Sequence, residues 1–470
     1  MFRLRRRWRL PIAAAALSTA VLAVGSPQPA SAATAFSNTT LFARWDPTAF
    51  IGGSAPSTLS TSPLARDAGH SEPAIWFGPG GKMAVDGLAW LPYQVDMWTG
   101  KFGETPSLFG HMDAHLPQRG ARLRLGSGDA DVDITAAGTT LLADLDFNVN
   151  PTLSSLQLGV SVTRCPKGSN GPEDCTTQVL DTAQADREWL ASAGTNVWLS
   201  YHDSASSTLI HVLRSTDDGR TWQQAGSPVV GQGATTGTCT FNNEIGPLVA
   251  DKATGDVYAI YVCGDTVTKG LAFTGNNLVV ARSTDGGRHW NATVALHEPR
   301  SVQLANIFPS ITVDPITGRL WATASTVDGV LVTSSNDHGT TWTDPVTVST
   351  MNTVVMPWVA ARGGKVDVVY YGTSASSLDD DDAVWNVYDS QRSGGSWHVM
   401  KVSNTPNRIG AVCLEGSGCE GDRELLDLFE VAEDPITGNA AIVYTDSTIS
   451  TYTSSSGTHE LPEIVLAFEQ

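Results

Sequence analysis

Three observations in the 470-residue sequence predict an all-β propeller of four-stranded antiparallel blades, seven in number. Glycine occurs 45 times and only 16% of residues are charged, which suits short strands joined by many tight turns. Paired alternating runs begin near Glu72, Asp131, Arg187, Ile245, Ile307, Met356 and Arg423, 49 to 67 residues apart. That is the period of one blade with its loops. An octapeptide of the form Ser-x-Asp-x-Gly-x-x-Trp occurs three times at one phase of this period. The first unit is the least regular, so six blades plus an irregular N-terminal module is the alternative.

The chain opens on a targeting pattern. Arg3, Arg5, Arg6, Arg7 and Arg9 precede an apolar run over residues 10–24 and the small-residue site Ala30-Ser31-Ala32. This is the form of a secretory signal, predicted to occupy residues 1–32 and to be removed. The apolar run is shorter than the ~20 residues a membrane span needs. No later stretch reads as a span. Losing five Arg takes the net charge from −19 to −24. An acidic chain lacks the basic face that nucleic acid requires. With 14 Trp and few charges it does not read as disordered. The expectation is an exported, soluble monomer.

Residues 33–70 follow as an N-terminal segment, and 71–470 as the propeller. The ring must close, and the runs Leu41-Phe42-Ala43-Arg44-Trp45 and Ile464-Val465-Leu466-Ala467-Phe468 are candidates to complete the last blade. Six Cys fit an oxidising compartment. Proximity selects Cys165–Cys175, Cys239–Cys263 and Cys413–Cys419 among the 15 pairings that six cysteines allow. Metal ligation is the rival reading, without a Cys-x-x-Cys pair to support it.

The octapeptides run Ser215 to Trp222, Ser283 to Trp290 and Ser335 to Trp342, with a worn copy from Ser390 to Trp397. Each reads as a hairpin turn. Gly takes a positive φ, Asp bonds nearby N–H groups and Trp packs beneath. The pattern resembles the Asp-box, or BNR, repeat of sialidase-like β-propellers. The resemblance implies a propeller whose boxes staple the outer part of each blade, away from any active site. It makes Asp217, Asp285 and Asp337 structural. In the second unit the Cys165–Cys175 loop stands where a box would be. Asp314 to Gly318 and Asp434 to Gly438 are near copies of a second pattern, and Asp251 to Gly255 is a looser one. These are expected to be type I turns between the first two strands of a blade.

The loops leading into the innermost strands gather at one end of the channel and carry the charge. They include Glu72, the alternating Asp129, Asp131 and Asp133, the run Asp186-Arg187-Glu188-Trp189, Glu244, and Asp422-Arg423-Glu424. One reading is an internal ion-pair ring that fixes blade order. The other is a ligand site. Glycosidic cleavage uses two carboxyl groups, and Glu188 and Glu424 with Asp131 or Glu244 are the candidates. Arg187 and Arg423 are candidates to hold an anionic group, with Arg300 a third. Trp189 is a candidate to stack on a sugar, or a core residue. Glu72 joins the substrate-binding set.

The sialidases that the resemblance points to also carry an Arg-Ile-Pro string, three Arg around the substrate carboxylate and a Tyr–Glu pair. Here Arg408-Ile409-Gly410 is the nearest string, at the far end of the chain, and no Tyr–Glu pair is assignable. No cofactor is required. Ca²⁺ is the cation expected if Asp129, Asp131 and Asp133 share one face of a strand as ligands. The acidic run Asp379 to Asp382 and the trio His111, Asp113 and His115 are lesser metal candidates. The function expected is that of a secreted glycoside hydrolase acting on an extracellular glycan or glycoconjugate. The alternative is a non-catalytic glycan- or protein-binding scaffold.

Overall fold

The computed structural model describes residues 36–43, 69–89, 94–112, 123–149, 156–181, 185–203, 209–229, 243–264, 275–304, 307–326, 328–416, 419, 423–454 and 457–470. They form seven antiparallel sheets, each a blade of four principal strands. The innermost strands are Ile75–Phe77, Leu123–Ile134, Ala185–Ala193, Asn243–Ala250, Ser310–Val313, Thr353–Arg362 and Glu430–Glu433, for blades 1 to 7. In blade 1 the short strand His70–Ser71 precedes Ile75–Phe77 on the same partner, Lys82–Ala89. Each innermost strand touches the next, and the seventh touches the first, so the ring is closed.

Residues 1–32 lie outside the described residues. Among the described residues no helix is long and apolar enough to cross a membrane.

Burial explains the strand patterns. Second strands are covered by blades on both faces and read as continuous apolar runs, as in Val257–Cys263, where all seven residues are buried. Outermost strands are short or exposed, as in Gln223–Gln224 and Val346–Thr347, which leaves little free edge. Blade 7 takes its outermost strand from the N-terminal region. Phe36–Leu41 pairs with Gly457–Glu469, with Phe36 opposite Glu469 and Leu41 opposite Ile464. The paired segment therefore starts five residues ahead of the expected 41–45 run. Leu41, the last residue of the strand, and Ala43 beyond it enter a core with Ile75, Val443 and Leu466.

The three octapeptide turns share one geometry. The Ser hydroxyl accepts the Gly N–H at 2.9, 2.8 and 2.9 Å in blades 3, 4 and 5. Asp217, Asp285 and Asp337 accept the N–H four residues on, from Thr221, His289 and Thr341. Donation from the Thr341 hydroxyl and N–H pulls Asp337 to about 2. The turns also reach the preceding blade. Asp218 accepts the Thr135 and Thr139 hydroxyls at 2.6 Å and pairs with Arg164 of blade 2. Trp198 of blade 3 donates to Gly286 of the blade 4 turn. The staple thus joins blades as well as strands.

The Ser390 to Trp397 segment departs from the expectation. Val384–Ser393 and Ser396–Lys401 meet in a tight hairpin through Gly394 and Gly395, and the Ser390 hydroxyl donates to Val348 of blade 5. In blade 2 the Cys165–Cys175 disulfide joins the third and fourth strands. Cys413–Cys419 is also formed. Cys263 is disulfide-bonded, and Cys239 lies outside the described residues.

The Asp-x-x-x-Gly turns close one residue wider than a four-residue type I turn. Gly255, Gly318 and Gly438, all at positive φ, donate to the Asp carbonyl four residues back. Asp314 accepts from Ile316 of its own turn and from Gly363 and Gly364 of blade 6, both at 2.8 Å. Burial pushes this carboxyl up, but the donors outweigh it and hold it below the usual range. Asp314→Ala should cost about 1–3 kcal/mol at pH 7 in urea unfolding. A depressed folded pKa gives stability above the unfolded value, lost as pH falls through the folded one. The gap to wild type should therefore narrow as pH falls below about 4.

Candidate functional site: the charged end of the channel

The innermost strands share a local distortion at the end where the chain enters them. Glu72, Arg187, Ile307, Met356 and Leu426 all have positive φ, at 51, 57, 32, 55 and 53°. Non-glycine residues, above all the β-branched Ile307, adopt this region rarely. Pairing slips at Asp186/Trp189, Ile245/Leu248 and Val355/Trp358 in blades 3, 4 and 6. Such bulges turn side chains off the strand face. Here they turn Glu72 and Arg187 toward each other.

Arg187 is the hub. It contacts Glu72 of blade 1 at 3.2 Å, Asp129 of blade 2 at 3.3 Å, and Asp427 at the start of blade 7. Glu72 also accepts the Asp427 N–H at 2.9 Å. The guanidinium lies 4.7 Å from the Phe308 ring centroid of blade 5. Burial opposes the charge, yet the carboxylates, Asp129 foremost, hold Arg187 firmly cationic.

The acids outnumber the base, and their states differ. Burial pushes Asp186 up to about 6, with Asp129 adding to it. Burial pushes Glu244 up to about 7 against the pull of Arg187. Glu188 is 2% exposed, and neither of its oxygens finds a hydrogen-bond partner among the described residues. Burial pushes it well above the carboxylate range, and Asp129, Asp144 and Asp186 add to that.

The other expected site residues are dispersed. Glu424 pairs with Arg408 at 2.9 Å and does not join Glu188. Arg423 pairs with Asp427 four residues on. It is not the counterpart of Arg187, because the left-handed residue of blade 7 is Leu426, three positions later. Trp189 is 3% exposed and packs edge-on against Phe308 at 5.4 Å, so it is a core residue. Arg300 is exposed beyond the outermost strand of blade 4.

The three alternating acids find three different partners. Asp129 takes Arg187, Asp131 accepts the Leu190 N–H at 2.6 Å, and Asp133 accepts the Ser192 hydroxyl at 2.8 Å. Asp129 sits in the Ser127/Ala130 bulge, which breaks the alternation that would align it with the other two. Among the described residues no group of three or more His, Cys, Asp or Glu is arranged to hold a metal ion. Asp379 to Asp382 lie in a turn between strands. His111 pairs with Asp96, while Asp113 and His115 lie outside the described residues.

Sequence reasoning missed Asp427 as a partner of Arg187 and left Asp186 unassigned. The four-residue Arg423–Asp427 spacing was the available signal for the first. Segments 113–122, 182–184, 230–242 and 420–422 lie outside the described residues.

No protein-family model matches the chain, and no curated protein matches it. Solved structures resemble it at low identity. An ulvan lyase of polysaccharide lyase family PL25 is 11% identical, covers 86% of this chain and 95% of its own, and has a TM-score of 0.49. The K499G mutant of NanB sialidase from Streptococcus pneumoniae is 11% identical over 89% and 73%, with a TM-score of 0.44. A protein of unknown function from Dyadobacter fermentans is 13% identical over 86% and 95%, with a TM-score of 0.43. At these identities and TM-scores the likenesses assign this chain neither a family nor an activity.

Proposed function

We propose that this is an exported propeller that cleaves a glycosidic bond in an extracellular glycan or glycoconjugate, at the charged end of its channel. The observation that carries the reading is Glu188, a buried carboxyl without a hydrogen-bond partner among the described residues, pushed by burial well above the usual carboxylate range. Glycosidic cleavage calls for one protonated and one ionised carboxyl at the same pH. Asp186, pushed only to about 6, is ionised at pH 7. Glu188 gives its proton to the leaving glycosidic oxygen as the C–O bond breaks. Asp186 takes a proton from the water that attacks the sugar carbon. The disulfides suit export to an oxidising compartment.

The test is a hydrolysis screen of the mature chain against chromogenic glycosides, including a sialoside, and cell-wall polysaccharides, with and without Ca²⁺. Glu188→Gln should lower kcat by about 10²–10⁴-fold. It should not lower the melting midpoint. A carboxyl with a raised folded pKa loses stability as pH rises, and Gln removes that loss. Full turnover by the variant, or none by the wild type on any substrate, overturns the reading. Arg187, already shared by three carboxylates, favours a second reading as a non-catalytic scaffold. A melting midpoint raised by a glycan that is never cleaved would select it.

A further inference from the structure

Beyond its charged end the channel is hollow. At that end Arg187 lies over the Phe308 ring, and Trp189 packs edge-on against the same ring. On the far side lies a cavity of about 550 Å³ to which all seven innermost strands contribute. It extends to the turns after those strands, including Gly194, Pro315 and Pro435.

Its walls are apolar and aromatic, with Trp189 and Trp358 on opposite arcs of the ring. Two carboxyls stand at its deep end, Asp131 of blade 2 and Glu430 of blade 7. Each is fixed by one oxygen to the next blade: Asp131 to the Leu190 N–H at 2.6 Å, Glu430 to the Ile75 N–H at 2.9 Å. Among the described residues neither takes part in an ion pair. The basic residues of the lining, Lys252 and Arg362, belong to the turn end, some three residues of strand or roughly 10 Å away. Both are engaged there. Lys252 lies over the Trp76 ring at 5.2 Å, and Arg362 donates to the Pro435 carbonyl at 2.8 Å.

We infer that this cavity binds a small organic cation, an alkylated ammonium compound seated between Asp131 and Glu430 with its carbon groups against Trp189 and Trp358. The chemistry is complementary on both counts. Aromatic faces and carboxylates attract a weakly hydrated ammonium in a dry site. Two carboxyls without a counter-ion among the described residues gain one when it binds. Left empty, they resist ionisation: burial pushes Asp131 up to about 8, and burial together with Asp131 pushes Glu430 well up. The site is independent of Glu188 and of the hydrolysis proposed above.

The test is titration calorimetry of the mature chain with choline and with 3,3-dimethyl-1-butanol, its uncharged isostere. Choline should bind at least about tenfold more tightly. The double variant Asp131→Asn/Glu430→Gln keeps acceptors for the Leu190 and Ile75 N–H groups. It should lower choline affinity by about tenfold or more while leaving the melting midpoint unchanged or higher. Should that variant not fold, Trp358→Leu carries the same expectation through the aromatic wall. Equal binding of the two probes, no heat from choline at millimolar concentration, or unchanged affinity in the variants overturns the inference. So does preferential binding of glucose, which would make the cavity a sugar site.

Discussion

Arg187→Met is expected to destabilise the ring by about 3–5 kcal/mol at pH 7, read by denaturant unfolding. The substitution keeps the packing against Phe308 and removes the charge that three blades share. Glu72 is 2% exposed and Asp427 is 3% exposed, so both would be left as unpaired buried acids. Burial already pushes Glu72 well above the usual carboxylate range even with Arg187 beside it. Without Arg187 it must rise further. A raised folded pKa preserves stability below the unfolded value and loses it as pH rises. The gap between wild type and variant should therefore be small near pH 4 and widen toward pH 7. A gap independent of pH would show that Arg187 acts through packing, and the ion-pair account of blade order would fail.

The second large effect belongs to the ring closure. Lys365 of blade 6 pairs with Asp367 at 3.1 Å and with Glu469 of blade 7. Gln391 donates to the same two acids at 2.9 and 2.8 Å. Glu469 lies opposite Phe36 of the closing strand. Lys365→Met should cost about 3–5 kcal/mol and expose the 36–41 strand to limited proteolysis before the rest of the ring. Two further acids border the pair. Burial and Asp367 push Asp389 well up and Glu433 to about 11. The sign follows as before. Wild type should lose stability as pH rises from about 5 toward 11, and Glu433→Gln should flatten that slope. A variant with the wild-type slope would remove Glu433 from the account.

Much of the fold is legible because its signals are local. The octapeptide turn makes its Ser–Gly and Asp–Thr or Asp–His bonds within five residues, so three copies announce themselves without any partner. The disulfides of blade 2 and of residues 413–419 span 10 and 6 residues. The period of the inner strands follows from the bulged residues, and Glu72, Arg187, Ile307 and Met356 fall at the expected starts of their units. In blade 7 the expected start near Arg423 falls three residues early, because Asp422-Arg423-Glu424 repeats the letters of Asp186-Arg187-Glu188. The backbone distortion that defines the position follows three residues later, at Leu426.

The site was less legible, since its contacts are remote in the chain. Asp427 lies 240 residues from Arg187 and 355 from Glu72, yet meets both. Glu188 and Glu424 look equivalent as sequence. Arg408, arriving from a short strand beside blade 6, neutralises one and leaves the other alone. By itself the sequence determined the strands, the turns and the order of the blades, because those rest on hydrogen bonds and side-chain alternation between near neighbours. Only the tertiary structure decided which acids are paired and which are pushed above the usual carboxylate range by burial. Closing the ring brings blade 7 against blade 1 and withdraws the charges of several blades from water together.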